Sequence, residues 1–215
     1  MPQEKIKDIV IIGSGGLAKE VALLITEGNK VKKKYRLLGF VGKEKTNKNS
    51  QHPVIMTDLD ILNWKKPLSV AFGIGSSEIV ATLVKKYSQN LSLNFPNLYH
   101  PSVLCDRDQI KIGQGNIFCA NVILTVDIKI GSFNYFNLCV TVGHDAIIGN
   151  FNMINPSVNI SGGVKINNNV MIGTGTQILQ YKNINSFISV GAGSVVTKNL
   201  DTKGVYLGIP ARIKE

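Results

Sequence analysis

The sequence predicts two domains, a small parallel α/β domain over residues 1–96 and a parallel β-helix over residues 97–215. The β-helix is predicted because a bulky apolar residue recurs at every sixth position from Ile112 to Val196, fifteen times without a gap. A period of six fits neither a helix nor an alternating strand, and it is typical of hexapeptide-repeat β-helices. Before residue 96, strand-like and helix-like segments alternate, which is typical of a parallel sheet with helices packed on it.

The first domain is predicted to be Rossmann-like. The expected strands are residues 7–13, 35–41 and 68–73, and the expected helices are residues 16–27 and 77–87. This order gives a parallel sheet with right-handed crossovers.

Glycine-rich turns mark the candidate ligand edge of that sheet. The turn Gly13-Ser14-Gly15-Gly16 joins the first strand to the first helix, where backbone N–H groups and the helix N-terminus favour a phosphate. An acidic residue should close the second strand of an NAD site, but that strand ends in Gly42-Lys43. NAD is therefore not expected, and a nucleotide diphosphate remains open. Gly75 and Ser76, at the end of another strand, form a second candidate wall.

The second domain is predicted to be a left-handed β-helix. Since three hexads make one triangular coil, each coil has eighteen residues. Fifteen hexads give about five coils, stacked about 4.8 Å apart as parallel strands. The repeated apolar residues fill the interior. Gly and Asn suit the corners, where left-handed backbone conformations are common. On this basis we expect residues 167–169 and Asn183 at corners.

Composition narrows the classes of protein. The first apolar run breaks at once into glycines, and no stretch approaches the ~20 apolar residues of a membrane span. The three cysteines, Cys105, Cys119 and Cys139, lack C-x-x-C spacing, so we expect reduced thiols in a cytoplasmic protein. The net charge of +10 lies largely in lysine clusters without interleaved aromatic residues. It therefore predicts a solvated surface or a field that attracts anionic ligands, and no nucleic-acid partner.

One of the three histidines is placed for chemistry. His52 and His100 lie before prolines outside the regular coils, whereas His144 follows the interior residue Val142 at a corner. One coil beyond His144 is Gly162. An imidazole below an unhindered backbone N–H is a minimal acyl-transfer site, with a base and an oxyanion donor. The alternative is that Gly162 only shapes a turn.

Asp145 has two interpretations. It is placed either to hold the His144 tautomer or bind an ammonium group, or to be a solvated corner carboxylate like Asp127 one coil below.

The sequence resembles the bacterial hexapeptide-repeat sugar acyltransferases of the sialic acid O-acetyltransferase type, which include the N-acetyltransferases of nucleotide-linked 4-amino sugars. The motifs that carry the resemblance are Ile11-Ile12-Gly13-Ser14-Gly15-Gly16, Lys19-Glu20-Val21, His100-Pro101-Ser102, Gly143-His144-Asp145-Ala146-Ile147-Ile148-Gly149, Ile154-Asn155-Pro156, Asn159-Ile160-Ser161-Gly162 and Gly208-Ile209-Pro210-Ala211. Together they span nearly the whole chain.

The resemblance implies a homotrimer that uses acetyl-CoA as donor, with active sites between subunits. It assigns His144 as general base and the Gly162 N–H to the thioester carbonyl. It places coenzyme A near Gly173, Gly191 and the pair Ile209-Pro210. It also implies that the first domain binds the nucleotide of the acceptor at residues 13–16, Gly75 and Ser76.

This chain departs from the family pattern on the acceptor side. Many members carry a histidine at the position of Leu17 and an acidic pair at the position of Gly42-Lys43. The sugar and its nucleotide are therefore left open.

The leading functional interpretation is N-acetylation of a nucleotide-linked amino sugar for surface polysaccharide or glycan biosynthesis. O-acetylation of sialic acid or another sugar hydroxyl is the alternative within the same class. A zinc enzyme with three histidines is not expected, because only His144 lies in the regular coils. A β-helix that only binds a partner is the non-enzymatic alternative.

Overall fold

The structure is a computed structural model that describes residues 5–46, 52–106 and 108–214. The chain forms two compact units, Met1–Pro101 and Ser102–Glu215.

The first unit is a parallel α/β fold. Its elements are β1 (Lys7–Ile12), α1 (Gly16–Val31), β2 (Tyr35–Val41), β3 (Val54–Met56), α2 (Asp58–Leu62), β4 (Leu68–Phe72), α3 (Ser77–Tyr87), β5 (Leu93–Asn94) and β6 (Leu98–Tyr99). The parallel sheet has the order β3-β2-β1-β4-β5. The order reverses between β1 and β4, and ligands of such sheets bind beyond the carboxyl ends of the strands at this point.

The predicted strands and helices of the first unit are confirmed, with small differences. Helix α1 continues to Val31 instead of ending at Glu27: its buried residues all precede Glu27, and the last turn is closed by the Lys32 N–H, which donates to the Gly28 carbonyl at 3.0 Å. Strands β3, β5 and β6 and helix α2, none of them longer than five residues, were not predicted from the sequence. Such short segments show too little periodicity to be recognised.

The central strands are buried because they are apolar on both faces. Residues 9–12 of β1 are 0–3% exposed, and all five residues of β4 are buried. Gly73 follows β4 and lies against helix α1, where an added Cβ would overlap Ala18. The absence of a side chain at Gly73 thus allows α1 to begin close to the carboxyl edge of the sheet.

The second unit is a parallel β-helix. Its strands are β7 (Lys111–Ile112), β8 (Ile117–Phe118), β9 (Ile123–Leu124), β10 (Lys129–Ile130), β11 (Tyr135–Phe136), β12 (Thr141–Val142), β13 (Ile147–Ile148), β14 (Met153–Ile154), β15 (Asn159–Ile160), β16 (Lys165–Ile166), β17 (Met171–Ile172), β18 (Gln177–Ile178), β19 (Asn183–Ile184), β20 (Ile188–Val190), β21 (Val195–Val196), β22 (Gly204–Leu207) and β23 (Arg212–Ile213).

The six-residue repeat is confirmed at every position. Each of the fifteen apolar residues lies in one of the strands β7 to β21, and all except the half-buried Ile112 are buried. Strands three apart in the chain pair in parallel with a register of eighteen residues, as in Ile130 with Ile148 and Val142 with Ile160. Each coil therefore contributes one strand to each of the three faces of the β-helix.

A second six-residue period, in the backbone, defines the corners. From residue 115 to residue 193, every sixth residue has a φ between +56° and +71°. Four of these residues are glycines, but Phe133, Phe151, Tyr181 and Phe187 are aromatic. The left-handed residue always lies three positions after an interior residue. The expectation that Asn183 lies at a corner is therefore wrong, because Asn183 directly precedes the interior residue Ile184 and belongs to β19. Asn169 does occupy such a position.

The C-terminal segment closes the last coil. Strand β22 pairs in parallel with β20, and β23 turns back antiparallel onto β22 after a cis Ile209-Pro210 bond. The edge of this face is thus a short hairpin instead of another coil.

One corner contains a buried asparagine ladder. Asn116, Asn134 and Asn152 are 0–2% exposed and lie one above the other at intervals of eighteen residues. The Asn134 side chain donates 2.9 Å hydrogen bonds to Asn116 Oδ1 and to the Gly149 carbonyl, and it accepts one from the Asn152 N–H. These bonds satisfy buried polar groups in consecutive coils.

The ladder predicts that Asn134→Ala destabilises the β-helix by about 2–4 kcal/mol, because the substitution leaves several buried groups without partners. The midpoint of urea unfolding, followed by circular dichroism, measures this. The matched control is Asn167→Ala on the exposed surface, which should change the midpoint little. Equal effects of the two substitutions would contradict a structural role for the ladder.

Candidate active site

The candidate site lies at one corner of the β-helix, where the turns 143–146, 161–164 and 179–182 are stacked; we call it the His144 corner. The turns follow β12, β15 and β18. Backbone hydrogen bonds hold the stack together: the N–H of Gly163 donates to the His144 carbonyl at 2.8 Å, and that of Tyr181 donates to the Gly162 carbonyl at 3.0 Å. The predicted stacking of His144 with Gly162 is thus fixed by the register of the coils.

The imidazole of His144 lies on Gly162. A Cβ added to Gly162 would be 2.5 Å from Nε2 and 2.6 Å from Cε1 of His144, so a side chain here is incompatible with this ring position. Gly162 is buried, whereas the His144 side chain is 55% exposed. The His144 imidazole thus faces solvent on one side and a peptide backbone on the other.

Asp145 holds one nitrogen of the imidazole. Its Oδ2 lies 2.7 Å from His144 Nδ1. A carboxylate only accepts hydrogen bonds, so in the neutral imidazole the proton is on Nδ1 and the lone pair is on Nε2. Of the two interpretations of Asp145, the contact matches the one in which it holds the tautomer. The left-handed backbone of Asp145, with a φ of +59°, orients its carboxylate next to the preceding residue.

The N–H of Gly162 has no acceptor among the described residues. At the equivalent turn position of a neighbouring corner, Gln114, Ser132 and Asn150 each donate their N–H to a side-chain oxygen one coil further on. The residue one coil beyond Gly162 is Gln180, and it makes no such bond. A buried donor without a partner is costly, and it is suited to an oxyanion that forms during a reaction.

This arrangement supplies two of the groups that acyl transfer needs. An unprotonated Nε2 is able to remove a proton from an attacking amine or hydroxyl group. The free N–H, in the next coil, is able to stabilise the negative charge on a tetrahedral intermediate.

The residues assigned to coenzyme A by resemblance lie in later coils. Gly173 follows β17, and Gly191 follows β20. Packing explains both glycines: an added Cβ at Gly173 would be 2.5 Å from the Ala192 nitrogen, and one at Gly191 would overlap Leu207. Ile209 is 77% exposed, and Pro210 is exposed beside it in the terminal hairpin. Their assignment to the cofactor rests on the resemblance.

The residues assigned to the nucleotide lie at the carboxyl edge of the parallel sheet, after β1 and β4. Gly13 has a φ of +100°, and an added Cβ would be 2.9 Å from the Gly73 carbonyl oxygen, so its identity is structural. By contrast, Gly15, Gly16 and Gly75 have no neighbour within 4 Å of an added Cβ and no positive φ. Ser14 is exposed between them. The open space at these three glycines is unexplained by packing.

The other residues of this edge have structural contacts. Ser76 is the N-cap of α3 and accepts a hydrogen bond from the Ile79 N–H at 3.3 Å. Leu17, at a family histidine position, is half-buried in the first turn of α1. Gly42 donates its N–H to the Met56 carbonyl, and Lys43 is exposed after it.

The remaining histidines are not drawn into a cluster. His52 lies edge-on to Phe40, with the ring centroids 5.6 Å apart. Within residues 5–46, 52–106 and 108–214, no three His, Cys, Asp or Glu side chains form a group that is able to hold a metal ion. Over the same residues no helix has the length and apolar character of a membrane span.

Tyr181, which was not among the residues predicted from the sequence, also lies at the His144 corner. Its ring lies on Gly163, where an added Cβ would overlap Cδ1, and its side chain is 69% exposed. His144 and Tyr181 thus cover two adjacent glycines from the coils on either side. The spacing of eighteen residues between Gly163 and Tyr181 would have identified this tyrosine from the sequence.

Comparisons with known proteins agree with this architecture. The family described as the PglD N-terminal domain matches residues 8–87. A comparison with curated proteins found no match. The solved acetyltransferase domain of PglB from Neisseria gonorrhoeae FA1090 is 25% identical, with a TM-score of 0.89 over 97% of this chain and 100% of that chain.

Two further solved structures are similar over their whole length. PerB from Caulobacter crescentus, in complex with CoA and GDP-perosamine, is 26% identical with a TM-score of 0.86, covering 98% of this chain and 99% of that one. WeeI from Acinetobacter baumannii AYE is 26% identical with a TM-score of 0.80, covering 97% and 100%.

The fold and the matches define an acyltransferase with a Rossmann-like domain followed by a left-handed β-helix. The resemblance recognised from the sequence motifs is confirmed: the chain is similar over nearly its whole length to bacterial acetyltransferases that include perosamine N-acetyltransferase.

The contact between His144 and Gly162 predicts that Gly162→Ala displaces the imidazole from its place on the backbone. A crystal structure of the variant, or the NMR shifts of the His144 ring, measures this. The control is Gly131→Ala, whose Cβ would be 2.5 Å from Asn150 Oδ1 and 2.6 Å from the Gly149 carbonyl oxygen at a different corner. It should leave the signals of His144 unchanged. An unmoved imidazole in Gly162→Ala would contradict the stacking.

Proposed function

We propose that this enzyme transfers the acetyl group of acetyl-CoA to the amino group of a nucleotide-linked amino sugar. One observation carries the proposal: the His144 imidazole lies on Gly162, whose backbone N–H has no acceptor among the described residues, and Asp145 holds its Nδ1. PerB, similar over nearly the full length, was solved with CoA and GDP-perosamine, which supports both the donor and the class of acceptor. We also propose that the product serves surface polysaccharide or glycan biosynthesis, and that the enzyme acts in the cytoplasm.

In this mechanism the neutral amine attacks the thioester carbonyl carbon. As the C–N bond forms, His144 Nε2 accepts the amine proton, and the carbonyl oxygen becomes an oxyanion that accepts a hydrogen bond from the Gly162 N–H. Collapse of the tetrahedral intermediate breaks the C–S bond. The imidazolium then returns its proton to the departing thiolate of CoA, so that His144 ends neutral. Asp145 stabilises the imidazolium between these two proton transfers.

The acceptor nucleotide is proposed to bind at the carboxyl edge of the parallel sheet. Gly15 and Gly16 at the start of α1 and Gly75 after β4 leave space next to exposed backbone N–H groups. No acidic residue lies in the first turn of α1 to oppose an anion. A diphosphate suits the partial positive charge of a helix N-terminus.

The proposed activity is tested by mixing the purified protein with acetyl-CoA and a panel of 4-amino and 3-amino sugars linked to different nucleotides, and following the release of free thiol. Turnover with an amino sugar, with the acetyl group on nitrogen in the product, is expected. Turnover with sialic acid or another sugar hydroxyl only would make the enzyme an O-acetyltransferase. No CoA binding and no turnover with any acceptor would favour the binding scaffold.

His144→Asn is expected to lower kcat by about 10²–10⁴-fold, because the general base is lost. The KM for acetyl-CoA should change little, since the imidazole acts on the acceptor. His52→Asn is the matched control, because His52 lies in the first unit outside the sites proposed here, and it should retain full activity. Full activity of His144→Asn would show that another group removes the proton.

The nucleotide site is tested with Gly15→Asp and Gly15→Asn. Gly15 is the N-cap of α1, its backbone angles are extended, and an added Cβ would have no neighbour within 4 Å. Because Asp and Asn are both favourable N-cap residues, both variants should fold. The carboxylate, but not the amide, should raise the KM for the nucleotide sugar about tenfold or more by repelling the diphosphate. The KM for acetyl-CoA should be the same in both. Equal KM values for the sugar would place the phosphates elsewhere.

The homotrimer stays a prediction from the family resemblance. Light scattering of the purified protein should give three times the mass of the 23.4 kDa chain. A monomer with full activity would contradict an active site shared between subunits.

A further inference from the structure

We infer that Tyr181 is the wall that limits the length of the acyl group the enzyme accepts. The inference rests on the proposed function, because it takes the Gly162 N–H as the partner of the thioester carbonyl. It concerns the donor side, where the choice between acetyl and longer acyl groups is otherwise open.

Tyr181 is tied to the same two residues as the proposed base. Its N–H donates to the Gly162 carbonyl at 3.0 Å, and its ring lies on Gly163, in the place of a Cβ. His144 lies on Gly162 from the preceding coil. The imidazole of His144 therefore covers Gly162, and the phenol ring of Tyr181 covers Gly163.

Packing alone does not explain a tyrosine at this position. Its φ is +57°, as at the other corner positions, and the equivalent residues of the three preceding coils are Asp127, Asp145 and Gly163. Phe133 lies on Gly115 in the same way at another corner, but Phe133 is 9% exposed. The side chain of Tyr181 is 69% exposed, and its hydroxyl group makes no hydrogen bond among the described residues. Aromatic side chains are common in the lining of ligand sites, and this ring is open to solvent beside the His144 corner.

The position of the ring predicts a limit on length. In the proposed mechanism the thioester carbonyl binds at the N–H of Gly162, and the Tyr181 ring lies on the next residue, Gly163, whose Cα is about 3.8 Å from that of Gly162. An acetyl group ends at its methyl carbon. A butyryl group extends about 2.5 Å further, and we infer that these extra carbons meet the Tyr181 ring. A pocket discriminates one methylene group by about 10- to 200-fold in kcat/KM.

The test compares kcat/KM for acetyl-CoA, propionyl-CoA and butyryl-CoA in the full-length protein, with the best acceptor from the amino-sugar panel. The variants are Tyr181→Asn, which removes the ring and suits the left-handed backbone, and Tyr181→Phe, which keeps the ring. The control is Phe187→Asn, which removes an exposed aromatic residue with a φ of +61° at a different corner. Thermal unfolding of each variant checks the fold.

Tyr181→Asn should raise the ratio of kcat/KM for butyryl-CoA over acetyl-CoA at least tenfold. Tyr181→Phe and Phe187→Asn should keep the wild-type ratio within about threefold. An unchanged ratio in folded Tyr181→Asn, with an active wild type, overturns the inference and leaves the acetyltransferase proposal standing. An equal rise in Phe187→Asn also overturns it, since the effect is then not local. An inactive wild type with every donor overturns both.

Discussion

The structure depends on one constraint, the register of eighteen residues by which each coil of the β-helix hydrogen-bonds to the next. Parallel strands allow no adjustment of this register without moving the apolar residues out of the interior. Fourteen of the fifteen repeated residues are buried, so any slip would expose them. Because of this register, a position on one coil is directly below the same position on the next. His144, Gly162 and Gln180 are stacked for the same reason that Val142, Ile160 and Ile178 are.

At the corners, the same register places candidate catalytic groups next to one another. A turn in which every sixth residue is left-handed leaves some backbone N–H groups without partners in the coil itself. At the neighbouring corner, the side chains of Ser132, Asn150 and Asn168 accept from these groups. At the His144 corner, the equivalent position is a glycine and the donor stays free. A difference of a few side chains therefore separates a structural corner from a candidate catalytic one.

The sequence predicts the apolar residues that recur at every sixth position, because burial enforces the period there. It also predicts the pairing of His144 with Gly162, which follows from counting coils. It did not predict the buried ladder of Asn116, Asn134 and Asn152. It predicts the corners less well: Asn183 was expected there, although the left-handed position lies three residues after each interior residue, and it is filled by residues as different as Ser157 and Phe187. The backbone geometry there is set by the coil and not by residue preference. Tyr181 occupies such a position, one coil beyond Gly163.

The direct test is a crystal structure of the protein with acetyl-CoA or a non-hydrolysable thioester analogue. The carbonyl oxygen should lie about 2.7–3.1 Å from the Gly162 nitrogen, with His144 Nε2 facing the open side of the carbonyl carbon. A thioester bound away from the His144 corner, with another donor at its carbonyl oxygen, would contradict the assignment of this corner as the active site.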